Sequence, residues 1–216
     1  MLQRSLLKVI KQIKIKPKFR KEVKCYIRSL APYKGGEWSS INTNLMKEFK
    51  STLKKQLLQY QENECAYCGL KLGETGKTEI EHIAPKGGKN DPKYVQYMFT
   101  TCNLVLACNL CNSPLKKGTK NTINNFDENN KNYRKNDFNI YHPYFDNPND
   151  HFEFGYGIDQ IIIRGKSDKG QHSIEMFDLD SEAQCTARAK KSLYEGMIIN
   201  PEIEDYLKSV MEYKKW

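Results

Sequence analysis

The stretch CAYCGLKLGETGKTEIEHIAPKGG, residues 65–88, decides how this chain folds. It opens on a Cys-x-x-Cys pair, passes through Gly69, Gly73 and Gly76, and closes on Glu81-His82 ahead of Pro85 and Gly87-Gly88. The spacing predicts a cysteine-bearing turn, then a hairpin whose strand ends near His82, then a loop over PKGGKNDPK. Neighbouring side chains on a strand point to opposite faces, so a twist or bulge is needed to aim Glu81 and His82 at one ligand set.

Working outward, a second Cys-x-x-Cys, Cys108 and Cys111, lies 39 residues beyond the first, Cys65 and Cys68. Four thiolates of this kind can close tetrahedrally on zinc. Two disulfides, two redox pairs or coincidence are the alternatives, and a redox pair would want a strand–helix setting that is missing here. The apolar run NLVLAC leads into the second pair, where a short helix is expected to begin near residues 108–112. Cys25, Cys102 and Cys185 stand alone and read as ordinary buried thiols.

The rest of the chain frames this centre. Residues 43–62 carry Leu45, Phe49, Leu53, Leu57 and Tyr60 at helical spacing, an amphipathic helix. Residues 2–16 fit a helix or a strand, and residues 30–40 and 121–150 read as loops. HFEFGYGIDQIIIRG reads strand, turn, strand, and HSIEMFDL alternates like a third strand. A helix over 181–196, capped by Asp180 or Ser181, and a last helix starting at Pro201 with Ile203, Tyr206, Leu207 and Val210 on one face complete the pattern.

Net charge is +9, and residues 1–28 hold ten Lys or Arg against the single acid Glu22, so the remainder is near neutral. Such an arm suits a polyanion, although a solvated charged face gives the same composition. No apolar run approaches membrane-spanning length, and the Lys-studded start lacks the apolar core of a signal peptide. A cytoplasmic, non-membrane protein with reduced thiols is expected.

Between the cysteine pairs lie Glu81, His82 and Asn103, and Asn112 comes directly after the second pair. Carboxylate and carboxamide oxygens are hard ligands for Mg²⁺ or Mn²⁺, and a His titrates near working pH. That is the equipment of a metal-dependent phosphodiesterase. Lys116, Lys117 and Lys120 lie just beyond Asn112 and are expected to contact phosphates. His142 and His151 flank a Pro-rich loop, where a structural role outweighs a second metal site, and His172 receives no role. Trp38 could stack on a base, but packing is the better expectation.

Cys65-x-x-Cys68, Glu81-His82-x-x-Pro85, Asn103-Leu104 and Cys108-x-x-Cys111-Asn112 together resemble an HNH nuclease of the ββα-metal class, zinc-knuckle subtype. HPYFDNPNDHFEF, with the hairpin and helix after it, is similar, more loosely, to the Septu-type and retron-associated HNH subunits of bacterial anti-phage defence, which work beside an ATPase. The resemblance implies an α+β protein: a basic and helical region over 1–62, a zinc-stapled core over 63–120, and a C-terminal extension over 121–216 with a β-hairpin and helices. It implies that His82 is the general base, that Glu81 and Asn112 hold one Mg²⁺ or Mn²⁺, and that Asn103 ties the loop that orients His82. A structural Zn²⁺ on the four cysteines, double-stranded DNA as substrate and an ATPase partner are implied likewise. Glu81 stands where the family usually has Asp, and Asn112 where it often has His. An inactive zinc-stapled nucleic-acid adaptor, or the same chemistry on RNA, are the competing readings.

Overall fold

The structure, a computed structural model, describes residues 10–74, 76–129, 132–155 and 161–197. The N-terminal stretch from Ile10 runs without regular structure, neither the helix nor the strand its pattern allows. Ile10 and Ile13 are nevertheless buried, and Ile13 N–H donates to Pro143 O at 2.7 Å. Residues 1–9, with Arg4 and Lys8 of the basic arm, and the expected helix from Pro201 lie outside the described residues.

Three helices come next: α1 (Lys21–Ser29), the short α2 (Glu37–Ser40), and α3 (Asn44–Tyr60). The loop expected over 30–40 is thus interrupted by α2. In α3 the apolar stripe forms because Met46, Phe49, Leu53 and Leu57 recur at three- and four-residue steps and are all buried. Burying each contributes roughly 2 kcal/mol of transfer free energy. Thr43 caps the helix by accepting from Met46 N at 3.3 Å. At the other end Gln61 brackets Leu106, accepting from its N–H at 2.8 Å and donating to its carbonyl at 2.9 Å. This pair of hydrogen bonds docks the end of α3 on the next sheet, just ahead of Cys65.

That sheet pairs β1 (Thr78–His82) with β2 (Leu104–Cys108), antiparallel, in register Thr78↔Cys108 through His82↔Leu104. The chain after β2 does not form the expected helix. Residues 109–119 make a run of turns, closed by bonds such as Ser113 N to Leu110 O and Lys116 N to Ser113 O. Pro114 has no N–H to give to a helix, and Gly118 sits at φ +47°.

Two further two-stranded sheets complete a mixed α and β architecture. β3 (Ile123–Asn124) pairs with β4 (Asp137–Phe138), within the stretch expected to be loop. After α4 (Pro148–His151), β5 (Phe152–Phe154) pairs antiparallel with β6 (Ile163–Gly165), the strand pair expected there. HSIEMFDL is helical rather than a third strand, falling in α5 (Asp168–Phe177). Ser167 accepts from Gly170 N at 3.1 Å as its cap, and Gly170, Ser173, Ile174 and Phe177 share the buried side at helical spacing. Period-two alternation over eight residues was outweighed by that cap and the longer helical stripe. α6 (Glu182–Met197) begins immediately after Ser181. No helix among the described residues is long and apolar enough to cross a membrane.

Candidate functional site

The two cysteine pairs meet at the Thr78/Cys108 end of the β1–β2 sheet. The Sγ atoms of Cys65, Cys68, Cys108 and Cys111 lie within 4.8 Å of one another, with Cys68 and Cys108 4.0 Å apart. Tetrahedral thiolates at a zinc–sulfur distance of about 2.3 Å would stand roughly 3.8 Å apart, so the donor set is of the kind and close to the spacing that zinc takes. Backbone N–H groups support the sulfurs: Cys108 N donates to Cys65 Sγ at 3.4 Å, and Cys111 N to Cys108 Sγ at 3.5 Å. Hydrogen bonds from the neighbouring thiols, Cys111 first, pull the Cys108 thiol far below its ordinary range. Of the other three cysteines, Cys102 is buried, Cys185 is half-buried and Cys25 is exposed on α1, which corrects the expectation of a buried thiol there.

The opposite end of the same sheet opens into a cleft of about 370 Å³. Trp38, Glu81, His82, Lys86, Asn112 and Pro114 are among the residues that line it. Glu81 and His82, adjacent on β1, both line this cavity. Gly87 shapes the floor: at φ +68° a Cβ there would sit 2.0 Å from Asp91 O.

His82 is buried, and Nε2 lies 3.2 Å from Met98 O. A carbonyl only accepts, so this nitrogen carries the proton and Nδ1 keeps its lone pair. Burial, followed by the charges of Lys86 and Lys117, pushes the imidazole down to about 3 and keeps it neutral. The Trp38 ring meets it edge-on, centroids 4.6 Å apart, and fixes its plane.

Asn112 donates from Nδ2 to Glu79 Oε2 at 2.8 Å, which leaves the amide oxygen as its unused donor atom. Glu81 is buried and ion-paired with Lys117, whose ammonium also donates to His82 O at 2.8 Å. Burial pushes the Glu81 carboxyl up, against the pull of Lys117. A carboxylate and a carboxamide oxygen beside one cleft fit a hard divalent cation such as Mg²⁺ or Mn²⁺.

Asn103 lies outside the cleft, fully buried. Its Oδ1 accepts from Ala84 N at 2.7 Å, and its Nδ2 donates to Ala84 O at 3.1 Å and Tyr97 O at 3.0 Å. These bonds tie the loop that leaves His82 to the turn at Tyr97.

The basic trio behind Asn112 divides. Lys117 is fully buried, and Lys116 is nearly so, donating to Phe177 O at 2.5 Å beside Asp178. Neither ammonium is available to a phosphate, so the contact expected of both is corrected: the turn after Asn112 folds them inward to satisfy a carboxylate and main-chain carbonyls. Lys120 alone of the three is exposed. The N-terminal arm also uses charge internally, through Arg20 with Glu48 and Lys11 with Glu62 and Glu64.

Sequence reasoning missed Glu79, Lys117 as a buried partner, Lys86 and Lys50. Glu79 was findable, because a residue two before Glu81 on a strand shares its face. Lys50 was not, since tertiary packing alone brings α3 to Trp38, where its ammonium lies 5.1 Å from the ring. His151 bonds Ser167, the cap of α5, at 2.7 Å, and His172 is exposed on that helix.

The fold and the site define a mixed α and β protein with four clustered cysteines at one end of a two-stranded sheet and a cleft lined by His82, Glu81 and Asn112 at the other. No family model matches the chain and no solved structure matches it. Two curated relatives do, each named Septu protein PtuB. One, from Bacillus thuringiensis, is 26% identical over 165 residues, covering 76% of this chain and 52% of that protein. The other, from Bacillus mycoides (strain KBAB4), is 31% identical over 160 residues, covering 66% of this chain and 52% of that protein. The chain spans about half the length of these relatives.

Proposed function

We propose that this chain is a metal-dependent HNH endonuclease and the nuclease component of a Septu-type anti-phage defence system. The observation that carries the reading is the cleft in which a neutral His82, the Glu81 carboxylate and the Asn112 carboxamide face one cavity. The similarity to two Septu PtuB proteins supports the defence role. Double-stranded DNA and an ATPase partner come from the family resemblance.

In this reading His82 Nδ1 takes the proton of the attacking water, while the bond from Nε2 to Met98 O holds the ring in the tautomer that leaves Nδ1 open. Glu81 and the amide oxygen of Asn112 would hold the divalent cation, and Glu79 keeps that amide from rotating. A bound Mg²⁺ or Mn²⁺ would supply charge stabilisation at the phosphate and the leaving 3′ oxygen. Lys86, which lines the cleft, replaces Lys116 and Lys117 as the phosphate contact. Burial first, and then the charges of Lys86 and Lys117, keep His82 neutral before substrate arrives.

Nicking of supercoiled plasmid with Mg²⁺ or Mn²⁺, with and without the ATPase partner, tests the reading. His82→Ala should lower kcat by roughly 10²- to 10⁴-fold while zinc content holds, measured below the variant's melting temperature. Equal cleavage by both proteins would remove His82 as the base. No cleavage of DNA or RNA by the wild type under any of these conditions would favour a binding adaptor.

A further inference from the structure

Asn103 holds the His82 loop, and its own orientation is set by residues 30 and 39 positions further along the chain. Tyr133 Oη donates to Asn103 Oδ1 at 2.8 Å and meets His142 Nε2 at 2.9 Å. Tyr144 N donates to His142 Nδ1 at 3.3 Å. That bond leaves Nδ1 unprotonated, so in the neutral ring the proton is on Nε2 and points at Tyr133. Direction is then fixed throughout: Tyr144 N–H to His142, His142 Nε2–H to Tyr133, Tyr133 O–H to Asn103. The His142 ring is clamped by Phe145, stacked with centroids 4.1 Å apart, and Phe138, edge-on at 4.5 Å.

Asn103 distributes this order to two places at once. It brackets Ala84, two residues beyond His82, through both N–H and carbonyl, and it grips Tyr97 O, the neighbour of the Met98 carbonyl that holds the His82 ring. Lys117 on His82 O and Thr122 on Ile83 O complete the loop, so three successive carbonyls from His82 to Ala84 are each held by a side chain. All of these groups are buried, and a buried donor left without a partner is costly, so the chain resists partial rearrangement.

We propose that His142 and Tyr133 are positioning residues of the cleft, which assign the C-terminal HPYFDNPND segment the task of orienting His82 through Asn103. The activity arm of the test rests on the nuclease reading; the spectroscopic arm does not. Full-length zinc-loaded protein labelled with ¹⁵N-histidine reports the His82 tautomer by NMR, alongside plasmid cleavage and thermal melting. Tyr133→Phe removes one oxygen and keeps the ring packing. It should lower kcat about tenfold with KM unchanged and should shift or broaden the His82 Nε2 signal below the melting temperature. His142→Gln, which keeps an N–H near the place of Nε2, should recover most of what His142→Leu loses. A Tyr133→Phe protein with wild-type His82 signal and kcat would overturn the proposal, even with a lowered melting temperature, because the network would then be structural only. If the wild type does not cleave, the nuclease reading fails and the His82 signal still decides the positioning claim. If His142→Leu does not fold, Tyr133→Phe decides it alone.

Discussion

The two ends of the β1–β2 sheet hold two candidate metal sites built on opposite principles. At the Thr78/Cys108 end four thiols face one another, and backbone N–H groups donate to the sulfurs of Cys65 and Cys108. At the His82/Leu104 end each residue is held by a protein partner, Glu81 by Lys117, Asn112 by Glu79 and His82 by Met98 O, while the Asn112 amide oxygen and His82 Nδ1 stay open. The first arrangement offers a cation four sulfur ligands and suits permanent occupancy. The second already holds a lysine ammonium beside Glu81, supplying positive charge where a divalent cation is proposed to sit. A structural ion and an exchangeable one call for this difference.

The cysteine end should give the largest response to substitution. A Cys108→Ser, Cys111→Ser double variant should lose its metal, about one zinc per chain, and with it the packing of the centre. The coupling of zinc binding to folding is on the order of 10 kcal/mol in small metal-stapled domains, the largest effect expected here. Metal analysis with a circular-dichroism melt checks it, and a chelator on the wild type should reproduce it. A native melt in the double variant would mean the thiols are not a staple.

Legibility in the residue pattern divides along the same line. The cysteine cluster was legible because its chemistry is local: two i, i+3 pairs of a rare residue leave few alternatives. The α3 helix and the β1 strand end were legible from period alone. The cleft was legible only in part. Glu81, His82 and Asn112 do share it, but their partners arrive through tertiary contacts with no local signal: Lys117 by a reversal after Pro114, Trp38 from α2 and Met98 from a turn. Lysines in a basic turn look solvated in sequence, and only the fold turns Lys116 and Lys117 inward. HSIEMFDL misled because its alternation is short and its helix cap, Ser167, stands five residues ahead of it.

Lys117 probes the difference from the cleft side. Lys117→Met leaves the Glu81 carboxylate buried without its cation and should destabilise the protein by about 3 kcal/mol in urea unfolding. Glu81→Gln combined with Lys117→Met removes both charges and should recover much of that loss. Mn²⁺ should also stabilise Lys117→Met more than it stabilises the wild type, because a competing positive charge has left the cleft. Equal stabilisation of the two proteins by Mn²⁺ would separate Lys117 from the cation site.

The smallest effect belongs to Glu79, which touches the proposed cation only through Asn112. Its carboxylate takes one amide proton of Asn112 at 2.8 Å and so selects which end of the carboxamide faces the cleft. Without it the amide can present Nδ2, a donor that repels a cation, as readily as the oxygen. Groups that orient a metal ligand typically contribute roughly 10- to 100-fold in affinity, and an exchangeable, half-exposed site belongs at the low end. Glu79→Ala should therefore weaken Mn²⁺ binding about tenfold by isothermal titration. The cysteine end should be untouched, with zinc content and unfolding midpoint preserved, since Glu79 bonds none of the four thiols. Unchanged Mn²⁺ affinity would place the cation away from Asn112, whereas abolished affinity would make Glu79 itself a ligand and move the site one strand step back from Glu81.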